Sequence, residues 1–91
     1  MEAERAFLVG LVDRAERLYQ QAATADPRDS IAVVGLARVA LERADDARAL
    51  QLAWRAQTID PLNVVATRLA ERMEEVLTAR GEALPNREVD G

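Results

Sequence analysis

The chain has 91 residues, a formal net charge of −4 at pH 7 and an apolar share of 49 %. It contains neither cysteine nor histidine, which excludes disulfides and thiolate metal sites and removes the commonest general base and metal ligand. The acidic balance argues against nucleic acid as a partner, because phosphate binding needs a basic surface.

The first predicted element is a short helix at residues 2–9, which Gly10 ends. Its acidic opening lacks the basic region and long apolar run of a secretory signal peptide. The spacing of Asp13 and Glu16 resembles a relaxed capping box, which predicts a second helix that starts near Asp13. The alternative is one continuous helix over residues 2–25, in which Gly10 costs about 1 kcal/mol relative to alanine.

The third and fourth helices follow in the middle of the chain. Ser30 is a favourable N-cap for a third helix at residues 30–43. Gly35 lies inside it and costs about 1 kcal/mol relative to alanine, which indicates close approach of another helix. A fourth helix is expected at residues 45–59, and Pro61 follows its end.

The fifth helix is predicted at residues 64–80, with Asn63 as its cap and Gly81 as its C-terminal stop. One side of it carries an apolar stripe, formed by Val65, Ala66, Leu69, Met73, Val76 and Leu77. Residues 82–91 are polar and show no period, so we expect a flexible tail after a helical domain at residues 1–81.

One spacing organises the centre of the sequence. Four residues recur 34 positions later, namely Ala15, Ala22, Asp26 and Pro27 as Ala49, Ala56, Asp60 and Pro61. Alanines seven apart lie on one face of a helix, where a small side chain lets another helix approach closely. A fixed period of this length is typical of stacked helical hairpins.

The residues within this period resemble the tetratricopeptide repeat family. Residues 43–50 (RADDARAL) look like the family's turn and second-helix start, with Ala44 where glycine is usual. Residues 10–15 (GLVDRA) are similar to the same turn one period earlier, and residues 59–61 (IDP) match the closing tripeptide. The resemblance covers residues 2–77 and implies an all-α fold of antiparallel hairpins stacked as a short α-solenoid.

The resemblance also implies binding of proteins or peptides, with no catalytic residue. In that family the first helix of each hairpin lines a concave groove. The residues that it places there are Ile31, Val34, Arg38, Leu41, Val65, Arg68 and Arg72. Arg68 and Arg72 lie four apart on one helix face, where like charges repel and a bound carboxylate would relieve them. The alternative is a solvated face, screened by Glu71 and Glu75.

The sequence contains no set of residues with the spacing of a catalytic or phosphate-binding site. Without histidine there is no Ser-His-Asp set, and the four glycines are too scattered for a phosphate loop. The adjacent carboxylates Asp45 and Asp46, and likewise Glu74 and Glu75, point in different directions on a helix. We therefore expect no catalytic, cofactor or metal site, and a packing role for Trp54.

The predicted function is that of a non-catalytic adaptor, scaffold or assembly factor in the cytoplasm. It would dock a protein or peptide in the groove or along an apolar edge, and an acidic segment would suit the arginines. No stretch approaches the roughly 20 apolar residues of a membrane span, so a membrane is not expected as a partner. The alternative function is an accessory or regulatory subunit of a larger enzyme complex.

Self-association is a further prediction, because the sequence holds one complete repeat and stacks need neighbours to bury their apolar faces. A homodimer would form end to end, or by exchange of the first helix across Gly10. The residues expected at its interface are Phe7, Leu8, Leu69, Met73, Val76 and Leu77. The competing interpretation is a monomer whose exposed end binds a partner.

Overall fold

The computed structural model describes residues 1–87, which fold into five α-helices. They are α1 (Glu2–Leu8), α2 (Val12–Ala25), α3 (Ser30–Glu42), α4 (Asp46–Ile59) and α5 (Val64–Ala79). Residues 1–87 contain no strand, so the predicted all-α class with five helices is confirmed. None of these helices is both long and apolar enough to span a membrane.

Side-chain caps begin α4 and α5, and the cap of α5 is the predicted Asn63. An oxygen of the Asp45 carboxylate accepts a hydrogen bond from the Arg48 amide at 3.2 Å. The side-chain oxygen of Asn63 accepts one from the Ala66 amide at 3.1 Å. Each bond satisfies an amide that has no partner within its own helix. Both helices therefore start at or next to the predicted residue.

The cap of α3 is Asp29, and the prediction of Ser30 in that role is wrong. The Asp29 carboxylate accepts a hydrogen bond from the Ala32 amide at 3.0 Å. Ser30 is the first residue of the helix and is buried, and its hydroxyl accepts a hydrogen bond from Asn63 Nδ2 at 3.1 Å. The Ser30 hydroxyl thus joins the starts of α3 and α5.

The predicted capping box of α2 is not present. The helix begins at Val12 without a side-chain cap. Asp13 and Glu16 instead both bind the guanidinium of Arg43, which lies at the C-terminal end of α3. Pairing of charges between α2 and α3 has therefore replaced the local hydrogen bonds that the spacing predicts.

A left-handed turn at Gly10, with φ of +84°, separates α1 from α2. The alternative of one continuous helix is therefore wrong. Ala44 adopts the same region of φ, at 60°, between α3 and α4. In both turns a backbone amide donates a hydrogen bond of 2.9 Å to a carbonyl of the preceding helix. Leu11 donates to Ala6, and Asp45 donates to Ala40.

The turns after α2 and α4 also share one geometry. Asp26 and Asp60, which lie one period apart in the sequence, have φ/ψ values of −137°/98° and −140°/96°. Each accepts a backbone hydrogen bond at 3.0 Å from the residue three positions on, which is Asp29 or Asn63. The sequence period is therefore accompanied by the same local backbone geometry at both positions.

The helices pack against their neighbours along the chain, and α1 also touches α3. Alanine supplies much of the contact surface between them. Seven alanines on α2 to α5 have no exposed surface, namely Ala15, Ala32, Ala37, Ala49, Ala53, Ala56 and Ala66. Because these side chains are small, the helix backbones approach closely and the core needs few bulky residues.

Candidate binding groove

A cavity of about 180 Å³ lies between α1, α3 and α5. Four of the seven residues predicted for the groove line it together, and these are Ile31, Val34, Arg38 and Val65. The remaining lining comes from Met1 and Glu4 near the start of the chain, and from Tyr19, Gly35 and Asn63. The cavity is thus bounded mainly by α1, α3 and α5, which are every second helix along the chain.

The apolar part of the cavity combines buried and exposed surface. Tyr19 and Val34 are buried, at 2 % and 6 % exposure. Ile31 and Val65, which occupy positions one period apart, are exposed at 66 % and 58 %. Exposed aliphatic side chains beside a cavity offer surface that an apolar ligand group would remove from water, a favourable transfer.

The charged groups of the cavity are Arg38 and Glu4. The Arg38 guanidinium carbon lies 4.8 Å from the ring centroid of Phe7, a cation–π contact. Within residues 1–87 Arg38 forms no ion pair. Its guanidinium is therefore available to pair with an anionic group of a ligand.

The pKa of Tyr19 depends on the same two charges. Burial raises the pKa of its hydroxyl above the ordinary value of 10.0. The positive charge of Arg38 opposes this rise in the pKa, and the negative charge of Glu4 adds to it. Both charged side chains of the cavity therefore act on the tyrosine in its wall.

The other predicted groove residues lie outside the cavity. Leu41 is half-buried and packs against the clusters that join α3, α4 and α5. Arg68 and Arg72 are exposed on α5, three and seven residues after Val65, which puts them on a similar side of that helix. Neither forms an ion pair within the described residues.

The residues predicted for self-association are distributed between the surface and the interior. Leu8 is 69 % exposed, whereas Phe7 is half-buried beneath Arg38. Met73 and Leu77 are buried in the contact between α4 and α5, at 4 % and 3 % exposure. The two others, Leu69 and Val76, are half-buried beside them. Most of the apolar stripe of α5 is therefore covered within the protomer.

Comparison of the chain with models of protein families, with curated proteins and with solved structures found no match. The function is therefore inferred from the cavity and from the charges and exposed apolar groups around it. Among residues 1–87, no three acidic side chains come together in a way that could hold a metal ion.

Sequence reasoning missed Glu4 and Tyr19 as lining residues. Glu4 precedes Arg38 by one period, so extension of the period into α1 would have identified it. Tyr19 could have been found from Gly35, because a glycine inside a helix indicates that a bulky group lies close to it. Both signals are present in the sequence.

Trp54 has the packing role that the sequence predicts. It is 6 % exposed and lies in the cluster between α4 and α5. Its indole nitrogen donates a hydrogen bond to Glu74 at 2.8 Å. The Glu74 carboxylate, which belongs to one of the two adjacent acidic pairs in the sequence, therefore has a structural partner.

The first part of the expected tail lies against α4. Gln51 Nε2 donates a hydrogen bond to the carbonyl of Asn86 at 3.1 Å. The guanidinium of Arg87 lies 4.3 Å from the Trp54 ring centroid. Residues 88–91, which belong to the same predicted tail, lie outside the described residues.

Proposed function

We propose that this protein is a non-catalytic interaction module that binds a segment of another protein in the cavity between α1, α3 and α5. One observation carries the proposal: exposed Ile31 and Val65 line the same cavity as Arg38. Arg38 forms no ion pair with any of residues 1–87. Such a site suits a ligand with an apolar side chain next to a carboxylate.

We further infer that the helices form a short tetratricopeptide-like solenoid. Three features support this arrangement: the left-handed turns at Gly10 and Ala44, the matching geometry of Asp26 and Asp60, and the sequence period itself. In this arrangement α1, α3 and α5 are the first helices of successive hairpins. They are also the helices that bound the cavity, together with Tyr19 of α2.

The arginines of α5 extend the proposed site. Arg38 and Arg72 are separated by one period, as are Val34 and Arg68. In a solenoid, positions one period apart face the same side. A bound segment that runs from α3 towards α5 would therefore pass Arg38 and then reach Arg68 and Arg72. This order favours an acidic partner segment, and the role would be that of an adaptor or assembly factor in the cytoplasm.

The test begins with affinity purification of the tagged protein and identification of the proteins bound to it. Ile31→Glu, at the edge of the cavity, is expected to abolish that binding while helicity by circular dichroism stays unchanged. Leu62→Glu is the matched control, because Leu62 is 86 % exposed and does not line the cavity. Equal retention of the partner by both variants would place the binding surface elsewhere.

A further inference from the structure

The hydroxyl of Tyr19 is a polar group in the wall of the cavity, and it has no partner within the described fold. Tyr19 is 2 % exposed, and among residues 1–87 its hydroxyl forms no hydrogen bond. No polar side-chain atom of this part of the chain is both fully enclosed and without a partner, so the hydroxyl keeps contact with open space. Because Tyr19 lines the cavity, its hydroxyl is available there to a bound group.

Gly35 places this hydroxyl near Arg38. A Cβ atom on Gly35 would lie 2.5 Å from Cζ of Tyr19, which is the ring carbon that carries the hydroxyl. Gly35 and Arg38 are three residues apart on α3, so they are neighbours on one face of that helix. Ile31 and Val34 belong to the same face and also line the cavity. The phenol and the guanidinium are therefore close to each other, with aliphatic groups beside them.

The charges of the cavity favour an anion at the hydroxyl. Arg38 is half-buried, whereas Glu4, which carries the opposite charge, is exposed. The charge of Arg38 lowers the pKa of Tyr19 by more than the charge of Glu4 raises it. Water screens an exposed charge more than a partly buried one, which agrees with the larger effect of Arg38. A hydroxyl next to a cation donates best to an anionic acceptor, which binds both groups.

The size of the cavity limits its occupant to a group about as large as one side chain. Its volume of about 180 Å³ is below the roughly 300–1,000 Å³ of pockets that hold whole small molecules. A side-chain carboxylate can reach the nearly buried hydroxyl on an apolar stem. A chain terminus would bring its own amide group into the cavity, and an amide without a partner is costly to bury.

Given the function proposed above, in which the cavity binds a segment of another protein, we infer that this segment inserts an aspartate or glutamate side chain. Tyr19 confers this specificity, because its hydroxyl donates a hydrogen bond to the carboxylate that pairs with Arg38. An apolar residue next to the acidic one in the partner rests on the exposed side chains of Ile31 and Val65. Glutamine in place of the partner's glutamate has nearly the same shape but loses the charge-assisted hydrogen bonds.

The first test uses two dipeptides with both chain ends blocked, N-acetyl-Leu-Glu-amide and N-acetyl-Leu-Gln-amide. The chain has one tyrosine, so protein labelled with ¹³C at Cζ of tyrosine gives a single NMR signal that reports on its hydroxyl. Millimolar Leu-Glu peptide is expected to shift this signal saturably. The Leu-Gln peptide should bind about tenfold more weakly, because hydrogen bonds to charged groups are stronger than those between neutral groups.

Three variants separate recognition of the peptide from folding, with binding followed by the backbone amide NMR signals. Tyr19→Phe removes only the unpartnered hydroxyl, so the free energy of unfolding should not fall, yet the Leu-Glu peptide should bind about tenfold more weakly. Arg38→Gln should also weaken binding, whereas Glu4→Gln should strengthen it by removing a repelling charge. Arg17→Gln is the control, because Arg17 is exposed on α2 and does not line the cavity.

Several results would overturn the inference. The absence of a saturable shift, equal affinity for the two peptides, or undiminished affinity in Tyr19→Phe would each do so. A loss of stability in Tyr19→Phe would show that the hydroxyl has a partner within the fold. Tighter binding of N-acetyl-leucine, whose carboxylate is at the chain end, would assign the cavity to a terminus. Tighter binding of N-acetyl-Leu-Lys-amide would assign it to a cation held by Glu4.

These results are distinguishable from failure of the proposed function. If Ile31→Glu abolishes binding of the co-purified protein and Tyr19→Phe does not weaken it, the cavity binds a segment that makes no use of the hydroxyl. If neither variant affects that binding, the partner binds elsewhere on the protein. Loss of affinity in both variants, with the fold of Tyr19→Phe at full stability, is the expected result.

Discussion

The ring of Tyr19 lies directly against the backbone of Gly35. A Cβ atom added to Gly35 would lie 2.3 Å from Cδ1 and Cε1 of that ring, well inside van der Waals contact. Tyr19 is 2 % exposed, so a side chain at position 35 would have to displace a buried ring. The close helix approach expected from Gly35 in the sequence is therefore present, between α2 and α3.

Gly35→Ala is expected to destabilise the fold by about 1–3 kcal/mol, the usual cost of overpacking a core. In a Tyr19→Leu background the same change should be neutral or stabilising, because alanine favours a helix over glycine by about 1 kcal/mol. Urea unfolding followed by circular dichroism measures both values. An equal cost in the two backgrounds would mean that the contact with Tyr19 is not the cause.

A second prediction compares the two left-handed turns. Ala44→Gly is expected to stabilise the fold by up to about 1 kcal/mol, because an L-residue at positive φ is strained. Gly10→Ala, at the equivalent position, should destabilise it by about the same amount. No atom lies within 4 Å of a Cβ placed on Gly10, so that effect would be conformational alone. Midpoints of urea unfolding should move in opposite directions, and a shift of the same sign in both variants would contradict the prediction.

These positions also show what the sequence could specify. Asn63 was predicted as a cap because its bond reaches only three residues along the chain, and the bond of Asp45, which was not singled out, is equally local. The role of Ser30 was not predictable, because its hydroxyl is bound by Asn63, 33 residues away. Asp13 and Glu16 were misread for the same reason. Their partner Arg43 becomes a neighbour only after α2 and α3 have packed.

The sequence also predicted part of the candidate site. Ile31, Val34, Arg38 and Val65 follow from the period and the family resemblance, and they do line the cavity. Leu41 does not line the cavity, because near the end of α3 its side chain packs towards α4 and α5. Local periodicity cannot decide which of two neighbouring elements covers such a side chain.

The third prediction concerns the titration of Tyr19, the one tyrosine of the chain. Because burial raises its pKa above 10.0, the folded state keeps the proton at pH values where the unfolded state loses it. Any stability linked to this group is therefore complete below about pH 10 and falls as the pH rises above that value. The ultraviolet absorbance of tyrosinate measures the pKa directly.

Two variants check the cause of this shift. Arg38→Gln should raise the pKa of Tyr19 further, because it removes the charge that lowers it. Glu4→Gln should lower the pKa, because it removes a charge that raises it. A pKa unaffected by both substitutions would mean that these side chains do not share the cavity with the tyrosine.

The fourth prediction uses Trp54, the one tryptophan of the chain. Arg87→Ala removes the guanidinium over its indole ring and should increase quenching of its fluorescence by acrylamide. The loss of stability should not exceed about 1 kcal/mol, the usual worth of an exposed cation–π contact. Arg28→Ala, which changes an exposed arginine before α3, is the control. Identical quenching in both variants would show that Arg87 does not cover the ring in solution.

The last prediction concerns the arginines of the proposed binding site. Replacement of Arg38, Arg68 and Arg72 by glutamine should leave the fold intact, because none of them forms an ion pair within residues 1–87. Exposed ion pairs are each worth about 0.2–1 kcal/mol, so loss of all three should weaken binding of the co-purified partner by about 3-fold to 150-fold. Titration calorimetry of the two proteins measures the change.

A control triple variant, with Arg17, Arg28 and Arg55 replaced by glutamine, changes the net charge by the same amount at positions that do not line the cavity. It should bind as the unmodified protein does. Binding by the unmodified protein should also weaken as salt rises beyond 0.1 M, where the screening length is about 10 Å, and this dependence should be smaller for the variant of Arg38, Arg68 and Arg72. An equal loss in both triple variants would assign the effect to net charge, and tight binding by the first would exclude these arginines from the site.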